Sequence, residues 1–193
     1  MEKVDYLFEI FGTSDLNSIY AILDFIGPSG FLGKSNAESF TIKQAFGREI
    51  CWAIPSKVVI KQLSDFIGSS KCLEVCSGRG LWAKLLQLSG SHVTATDSFA
   101  SDLNMKTFTE VEKLNAIAAV EKYHDHDILM VCWAHIPFEI PQNFKGNKII
   151  FIGEEDGCTS NPPDERFWKK TNTHIDYKPM IGLYDMCLIF ERK

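Results

Sequence analysis

The chain has 193 residues, a net charge of −5 at pH 7 and 45% hydrophobic residues. This length fits one domain with a small appendage, and this composition excludes the disordered, collagen-like and low-complexity classes. The acidic balance also disfavours a protein that binds duplex nucleic acid across a broad surface.

The first 50 residues differ in pattern from the rest of the chain. Apolar residues at helical spacing predict helices over Glu2–Phe11 and Asp15–Ile26, and a short helix over Ser39–Phe46. We therefore expect residues 1–50 to form a helical extension and residues 51–193 to form the main domain. The position of the helical extension fits either a cap over a ligand site or a dimer interface. The oligomeric state therefore stays open.

The rest of the chain alternates between helix-like and strand-like segments, which predicts an open α/β sheet with helices on both faces. In chain order we predict a helix over Ser56–Ile67, a strand over Cys72–Cys76, a helix over Leu81–Leu88, strands over His92–Thr96 and Thr109–Val111, a helix over Asn115–Tyr123, buried strands over Ile128–Trp133 and Lys148–Gly153, a helix over Asp164–Lys170, and closing strands over His174–Lys178 and Tyr184–Glu191. The closing pair predicts an antiparallel edge.

Six cysteines are present, most of them within apolar runs where a free thiol behaves as a small hydrophobic side chain. No C-x-x-C pair occurs, so no metal site is predicted. We expect a reducing, cytoplasmic compartment. The sequence also predicts no signal peptide and no membrane span, because no uncharged run reaches the length of about 18–20 residues that a spanning helix needs.

The most informative segment runs from a strand through a glycine-rich turn into a helix. Gly78 and Gly80 let the backbone approach a ligand closely, and in open α/β sheets ligands lie at the carboxyl ends of the strands. The next strand ends at Asp97, whose carboxylate can accept hydrogen bonds from ribose hydroxyls. These features together predict a nucleoside site.

The spacing Gly78-x-Gly80-x-x-Ala83 also meets the dinucleotide fingerprint. An NAD-linked oxidoreductase is therefore an alternative, although the chain leaves no room for a separate substrate domain. The lysine and hydroxyl residue of a nucleotide P-loop are missing.

The same segment resembles motif I of class I S-adenosylmethionine (SAM)-dependent methyltransferases. Glu74 matches the acid of that motif, and Gly78 and Gly80 match its second and third glycines. Cys76 stands where the first glycine usually is, and we expect its small side chain to be accommodated there. Asp97 matches the acid that ends the second strand.

Further segments resemble those of a small, poorly characterised methyltransferase-like group, over about residues 48–191. The matching segments are Trp52–Pro55, Gly80–Ala83, Ile128–Trp133, Ile150–Glu154 and Gly157–Thr159. The resemblance implies SAM as the cofactor. It also implies a Rossmann-like seven-stranded sheet of order 3-2-1-4-5-7-6, with strand 7 antiparallel.

Catalytic groups of such enzymes usually follow the fourth strand. There the related pattern has a tryptophan followed by two prolines, whereas this chain has Trp133 followed by Ala134 and His135. His135 is a candidate base, or else an ordinary loop histidine. Trp133 is a candidate to stack on a planar acceptor, or else a core aromatic that closes the strand.

The resemblance also suggests contacts outside motif I. Trp52 would lie over the methionine end of the cofactor or anchor the helix entry, Trp82 would contact the cofactor, and Glu112 would contact the adenosine. Glu154 would bind a basic acceptor, or else be a solvated loop acid. The segment Asn161–Asp164 looks like an amine-methyltransferase motif, but it follows strand five, so we interpret it as the start of a helix.

The predicted function is SAM-dependent methyl transfer to an unidentified acceptor, with a small molecule or protein favoured over duplex nucleic acid. A catalytically degenerate relative that acts as a SAM-binding or protein-interaction module is the alternative. The missing prolines after Trp133 and the cysteine in motif I motivate that alternative.

Overall fold

The computed structural model describes residues 19, 20, 23, 44, 46–48, 50–98, 106–137, 139–155, 157–179 and 183–193. The predicted helix over Glu2–Phe11 lies outside these residues, as do most of the helices predicted over Asp15–Ile26 and Ser39–Phe46. Four described residues before residue 50 are buried in the same core as the sheet: Ile19, Tyr20, Leu23 and Phe46. The division into residues 1–50 and 51–193 stays a prediction.

From residue 57 onward the structure has a regular alternation of elements. In chain order they are α1 (Lys57–Ile67), β1 (Lys71–Val75), α2 (Leu81–Leu88), β2 (His92–Asp97), β3 (Val111–Lys113), α3 (Ala116–Lys122), β4 (Ile128–Cys132), α4 (Glu139–Asn143), β5 (Lys148–Gly153), β6 (Trp168–Lys170) and β7 (Met186–Arg192). Side-chain caps start two of the helices, because Ser56 Oγ accepts from Val59 N and Asn115 Oδ1 accepts from Ala118 N.

The strands form one seven-stranded sheet of order β3-β2-β1-β4-β5-β7-β6. β1 pairs in parallel with β2 and β4, β2 with β3, and β4 with β5, whereas β7 runs antiparallel to both β5 and β6. The sheet confirms the predicted order and is that of the Rossmann-like methyltransferase fold. The carboxyl ends of β1, β2, β4 and β5 therefore meet at one edge.

Alternating residues of the central strands divide the core between the two faces of the sheet. Cys72, Ile128 and Met130 belong to the cluster beneath α1 and α2, and Leu73 and Leu129 belong to the cluster beneath α3 and α4. Both clusters are buried because helices cover both faces, which is why β4 and β5 are continuously apolar.

The prediction of a helix over Asp164–Lys170 is wrong. Residues 165–167 form a turn, in which Asp164 Oδ1 accepts from Arg166 N at 2.8 Å, and β6 follows at Trp168. Trp168 is fully buried and pairs with Arg192 of β7. This pairing holds the segment extended, so Asn161–Asp164 does not start a helix.

The strand predicted over His174–Lys178 is also wrong, because those residues form no regular element. Ile175 is buried, and the Tyr177 hydroxyl donates to Asp185. Side-chain contacts, and not hydrogen bonds to a neighbouring strand, therefore hold this segment. The third strand lies two residues later than predicted, at Val111–Lys113, and the short helix α4 was not predicted.

No helix among the described residues is both long and apolar enough to cross a membrane. All six cysteines are free.

Candidate functional site

The turn between β1 and α2 carries three residues in the left-handed backbone region. They are Cys76 (φ 55°), Gly78 (φ 54°) and Gly80 (φ 72°), the last being the N-cap of α2. A side chain at Cys76 therefore occupies a conformation that favours glycine, so the departure from the usual motif concerns backbone conformation as well as side-chain size. The turn is closed by a hydrogen bond from Gly80 N to Ser77 O at 2.9 Å.

Two carboxylates hold this turn. Asp97, at the end of β2, accepts from Gly78 N through Oδ2 at 2.8 Å. Glu74, in β1, accepts from Ala83 N through Oε2 at 3.1 Å and is 1% exposed. Burial raises the pKa of Glu74 to about 8, and the nearby charge of Asp97 adds to this rise.

A pocket with about 790 Å³ of empty space, part of it open to solvent, lies at this edge of the sheet. Its lining joins the turn, the ends of β2 and β4 and the segment before α1: Gly47, Arg48, Ile50, Cys51, Trp52, Ala53, Glu74, Cys76, Ser77, Gly78, Arg79, Trp82, Asp97, Cys132 and Trp133. We call it the main pocket. It brings together most of the predicted cofactor residues.

Two features of the main pocket favour a bound ligand over a closed structural turn. The Ser77 Oγ is buried without a hydrogen-bond partner among the described residues, so it has unused bonding capacity. A Cβ built on Gly78 would meet no atom within 4 Å, so the backbone there faces open space. A ligand can therefore approach the backbone at Gly78 closely.

Three tryptophans shape the wall of the main pocket. The rings of Trp52 and Trp133 stack with centroids 5.8 Å apart and planes 24° apart. Trp82 is buried and donates through Nε1 to Ala53 O at 3.0 Å, which fastens the segment before α1 to helix α2. Trp82 thus both lines the main pocket and holds two segments of the chain together.

Trp133 follows β4 with φ 48°, an unusual conformation for a residue with a large side chain. Its Nε1 donates to Asp185 Oδ2 at 2.9 Å, and its backbone N donates to Ile152 O at 2.8 Å. Asp185 is 3% exposed and also accepts from the Tyr177 hydroxyl. This buried carboxylate holds Trp133 in place.

Asp185 was not predicted from the sequence, although its position carries one signal. An acid beside the apolar run of a predicted strand is unusual unless it has partners. Asp185 Oδ1 has no partner among the described residues, and burial raises the pKa of this carboxyl group.

The structure places His135 outside the main pocket. It lines a separate groove between the loops that follow β4 and β5, together with Pro137, Pro141 and the segment 159–164. Ser160 joins the two loops, because its Oγ accepts from Ile136 N at 2.5 Å and its backbone N donates to Ala134 O at 3.0 Å.

Glu112 and Glu154 do not line the main pocket either. Glu112 forms an ion pair with Lys122 at 2.5 Å and accepts from Tyr123, and these hydrogen bonds lower its pKa. Glu154 Oε2 accepts from Cys158 N at 2.9 Å, which closes the turn after β5. In the structure both carboxylates are occupied by contacts within the chain.

Three thiols line the main pocket, those of Cys51, Cys76 and Cys132. Burial raises the pKa of all three, that of Cys76 to about 11, so they are protonated near neutral pH. A protonated thiol is a poor nucleophile, so these side chains act as small apolar groups in the wall.

No family profile and no curated protein matches the sequence. Among solved structures, the chain is similar to magnesium protoporphyrin IX methyltransferase from Synechocystis PCC 6803 with bound SAM, at 12% identity over 90% of this chain and 96% of that chain, with a TM-score of 0.48. It is also similar to the Burkholderia thailandensis 1,6-didemethyltoxoflavin-N1-methyltransferase with bound S-adenosylhomocysteine, at 11% identity over 81% and 86% of the two chains, with a TM-score of 0.47. These likenesses concern the fold alone, which the strand order establishes independently.

Proposed function

We propose that this chain is a SAM-dependent methyltransferase that acts on a small molecule or a protein. The observation that carries the proposal is the meeting of Glu74, Gly78 and Asp97 in one pocket at the carboxyl ends of β1 and β2. The seven-stranded sheet positions these residues where open α/β folds bind their ligands.

The residues of the pocket fit the cofactor chemically. Asp97 lies at the end of β2, where its carboxylate can accept from ribose hydroxyls, and the free Ser77 hydroxyl and the open face of Gly78 lie beside it. Glu74 presents a buried carboxyl group to the same pocket, where a cationic ligand would favour its charged form.

When bound, SAM supplies an activated methyl group on a sulfonium, so the chain needs mainly to orient the acceptor and exclude water. Trp52 and Trp133 form an apolar wall that can do both. The acidic side chains among the described lining residues are Glu74 and Asp97, and both already accept backbone hydrogen bonds, Asp97 from Gly78 of the turn and Glu74 from Ala83 in the first turn of α2. This arrangement suits an acceptor that reacts through a lone pair without a strong protein base.

The test is a calorimetric titration of the whole chain with SAM, with S-adenosylhomocysteine (SAH) and, for comparison, with NADH. We expect micromolar binding of the sulfur ligands, and about 2.7 kcal/mol of added stability at 100 times the dissociation constant. Asp97→Ala should abolish both effects, whereas Asp65→Ala should not, because Asp65 is an exposed residue of α1 paired with Lys61. Tighter binding of NADH than of either sulfur ligand would contradict the proposal.

A catalytically degenerate SAM-binding module is the second candidate. The position of His135 in the separate groove favours it, because that candidate base lies outside the main pocket. The two candidates differ in one measurement, the transfer of labelled methyl groups from SAM to acceptors in a cell extract. Tight binding of SAM with no labelled product would support the module.

A further inference from the structure

A second pocket lies at the edge of the sheet where the parallel strands begin. Its lining includes Lys71, the first residue of β1, and His92, the first residue of β2, together with Asp125 and His126, which precede β4. Because β1, β2 and β4 are parallel, this edge is opposite the one that carries the main pocket. The pocket has about 940 Å³ of empty space, part of it open to solvent, and we call it the second pocket.

Thr94, His126 and Asp125 form a chain of hydrogen bonds in the wall of the second pocket. Thr94 Oγ1, on β2, lies 3.0 Å from His126 Nε2, and His126 Nδ1 lies 3.0 Å from Asp125 Oδ1. A hydroxyl, an imidazole and a carboxylate in this order are the arrangement that activates a hydroxyl nucleophile, and it occurs on unrelated folds. The geometry therefore matches a catalytic triad outside the main pocket.

The charge of Asp125 decides where the protons lie in this chain. Hydrogen bonds from Lys71, whose Nζ lies 2.5 Å from Asp125 Oδ2, and from His126 lower the pKa of Asp125 to about 2, so its carboxyl group is ionised near neutral pH. An ionised carboxylate only accepts hydrogen bonds, so His126 Nδ1 donates to it. In the neutral ring Nε2 then carries the lone pair, and the Thr94 hydroxyl donates to Nε2. His126 thus has the tautomer that a general base needs.

The surroundings hold the imidazole in this orientation. His126 is 7% exposed, and its ring meets that of Tyr123 edge to face, with centroids 5.0 Å apart. Thr94 is part of the regular strand β2, so the hydroxyl and its base lie on a fixed framework. Bond formation within such a framework requires little ordering of the protein.

Lys71 offers a cationic donor to the same pocket. Its ammonium has donors beyond the one that Asp125 accepts, so it can also stabilise an oxyanion that forms there. A side-chain ammonium is held less rigidly than paired backbone N–H groups. The site therefore suits an ester, which is cleaved more easily than an amide.

We propose that Thr94 and His126 are the nucleophile and the general base of a hydrolytic site for small carboxylic esters, separate from the SAM site. Thr94 Oγ1 forms a bond to the ester carbonyl carbon as its proton passes to His126 Nε2, and the C–O bond to the alcohol breaks as the alcohol takes that proton. Water then attacks the acyl group and gives a proton to Nε2. The C–Oγ1 bond breaks, the proton returns to Oγ1, and the acid leaves. Asp125 is the positioning residue of His126.

Two probes test the whole chain for this activity. The first is p-nitrophenyl acetate, whose cleavage releases p-nitrophenol. The second is a fluorophosphonate, to whose phosphorus Thr94 Oγ1 would bond as fluoride leaves and the proton passes to His126. Peptide mass spectrometry locates the stable adduct. We expect a burst of p-nitrophenol from the wild type and an adduct on Thr94.

Variants of the nucleophile and the base separate the site from background reaction at the surface. Thr94→Val keeps the shape of the side chain and loses the hydroxyl, and His126→Gln loses the base. Each should lower the rate of p-nitrophenol release by about a hundredfold or more. Thr94→Ser should retain the burst and the adduct, because it keeps the hydroxyl. His174→Gln is the matched control and should react as the wild type does, because His174 is an exposed histidine outside the second pocket.

The result does not depend on SAM, because the second pocket lies at the opposite edge of the sheet. Urea denaturation of each variant shows whether it is folded. The proposal is overturned if the wild type gives neither burst nor adduct, if the adduct lies on another residue, or if folded Thr94→Val reacts as fast as His174→Gln. An adduct on Thr94 that Thr94→Ser keeps and His126→Gln loses supports the proposal.

Discussion

At the scale of single residues, Glu74 should make the stability of the chain depend on pH. Burial raises its pKa from 4.5 to about 8 in the folded state, so the folded chain holds a proton that the unfolded chain releases. Between these two values, stability should fall as the pH rises, by up to about 1.4 kcal/mol per pH unit. Above about pH 8 this contribution should level off.

Glu74→Gln isolates the effect, because the amide oxygen can still accept from Ala83 N and the side chain no longer titrates. Urea denaturation at pH 5 and pH 8 should show that the variant loses less stability than the wild type over this interval. Parallel losses in both proteins would mean that Glu74 is ionised at neutral pH in the folded state.

The left-handed backbone at Cys76 should lower the stability of the chain. A non-glycine residue there costs about 1–2 kcal/mol, which Cys76→Gly should recover in part. Cys132→Gly is the matched control, because Cys132 is also half-buried but has no positive φ. In urea, Cys76→Gly should be the more stable variant by at least about 1 kcal/mol. Equal losses of stability would show that the turn imposes no strain on residue 76.

Residues of the candidate site were predictable where their position depends on local backbone. Glu74, Gly78 and Asp97 lie in the main pocket because a strand, a turn and a neighbouring parallel strand suffice to place them. His135 and Glu154 were predicted from their position after a strand. A hydrogen bond between two loops, from Ile136 N to Ser160 Oγ, holds the loop of His135, and a hydrogen bond within the turn after β5, from Cys158 N, engages Glu154. Contacts with a distant segment also explain why Asp185 was missed.

At the scale of elements, the close packing of the α2 N-terminus against β3 should require glycine at residue 80. A Cβ at residue 80 would lie 2.8 Å from Val111 Cγ2, whereas a Cβ at Gly78 would meet nothing. Gly80→Ala should therefore cost about 1–3 kcal/mol from steric overlap, in addition to the backbone strain that both variants share. Denaturation in urea of the two alanine variants measures this difference. Equal stability would show that β3 moves aside freely.

The elements were predicted well where burial on both faces decides the structure. β4 and β5 are apolar runs bounded by polar residues, and the structure confirms both within one residue. The segment Asp164–Lys170 was mistaken for a helix because its acid and lysines suit the ends of one. Pairing with β7 and burial of Trp168 override that local preference.

At the scale of the whole molecule, the two core clusters share one sheet. Leu63 of α1 belongs to one cluster and Phe144, after α4, to the other, and both side chains are fully buried. Because β1, β4 and β5 contribute alternate residues to both clusters, we expect neither face to remain folded without the other. The chain should therefore unfold as one cooperative unit.

Leu63→Ala and Phe144→Ala test this expectation from opposite faces. Each should cost about 2–5 kcal/mol, from lost contacts and the cavity left behind. Trp82 packs in the first cluster and Trp168 in the second, so tryptophan fluorescence reports on both faces, while far-ultraviolet circular dichroism reports on the sheet and helices. In each variant the two signals should change at the same urea concentration. If fluorescence changes first in only one variant, the faces unfold separately, which would contradict the expectation of one cooperative unit.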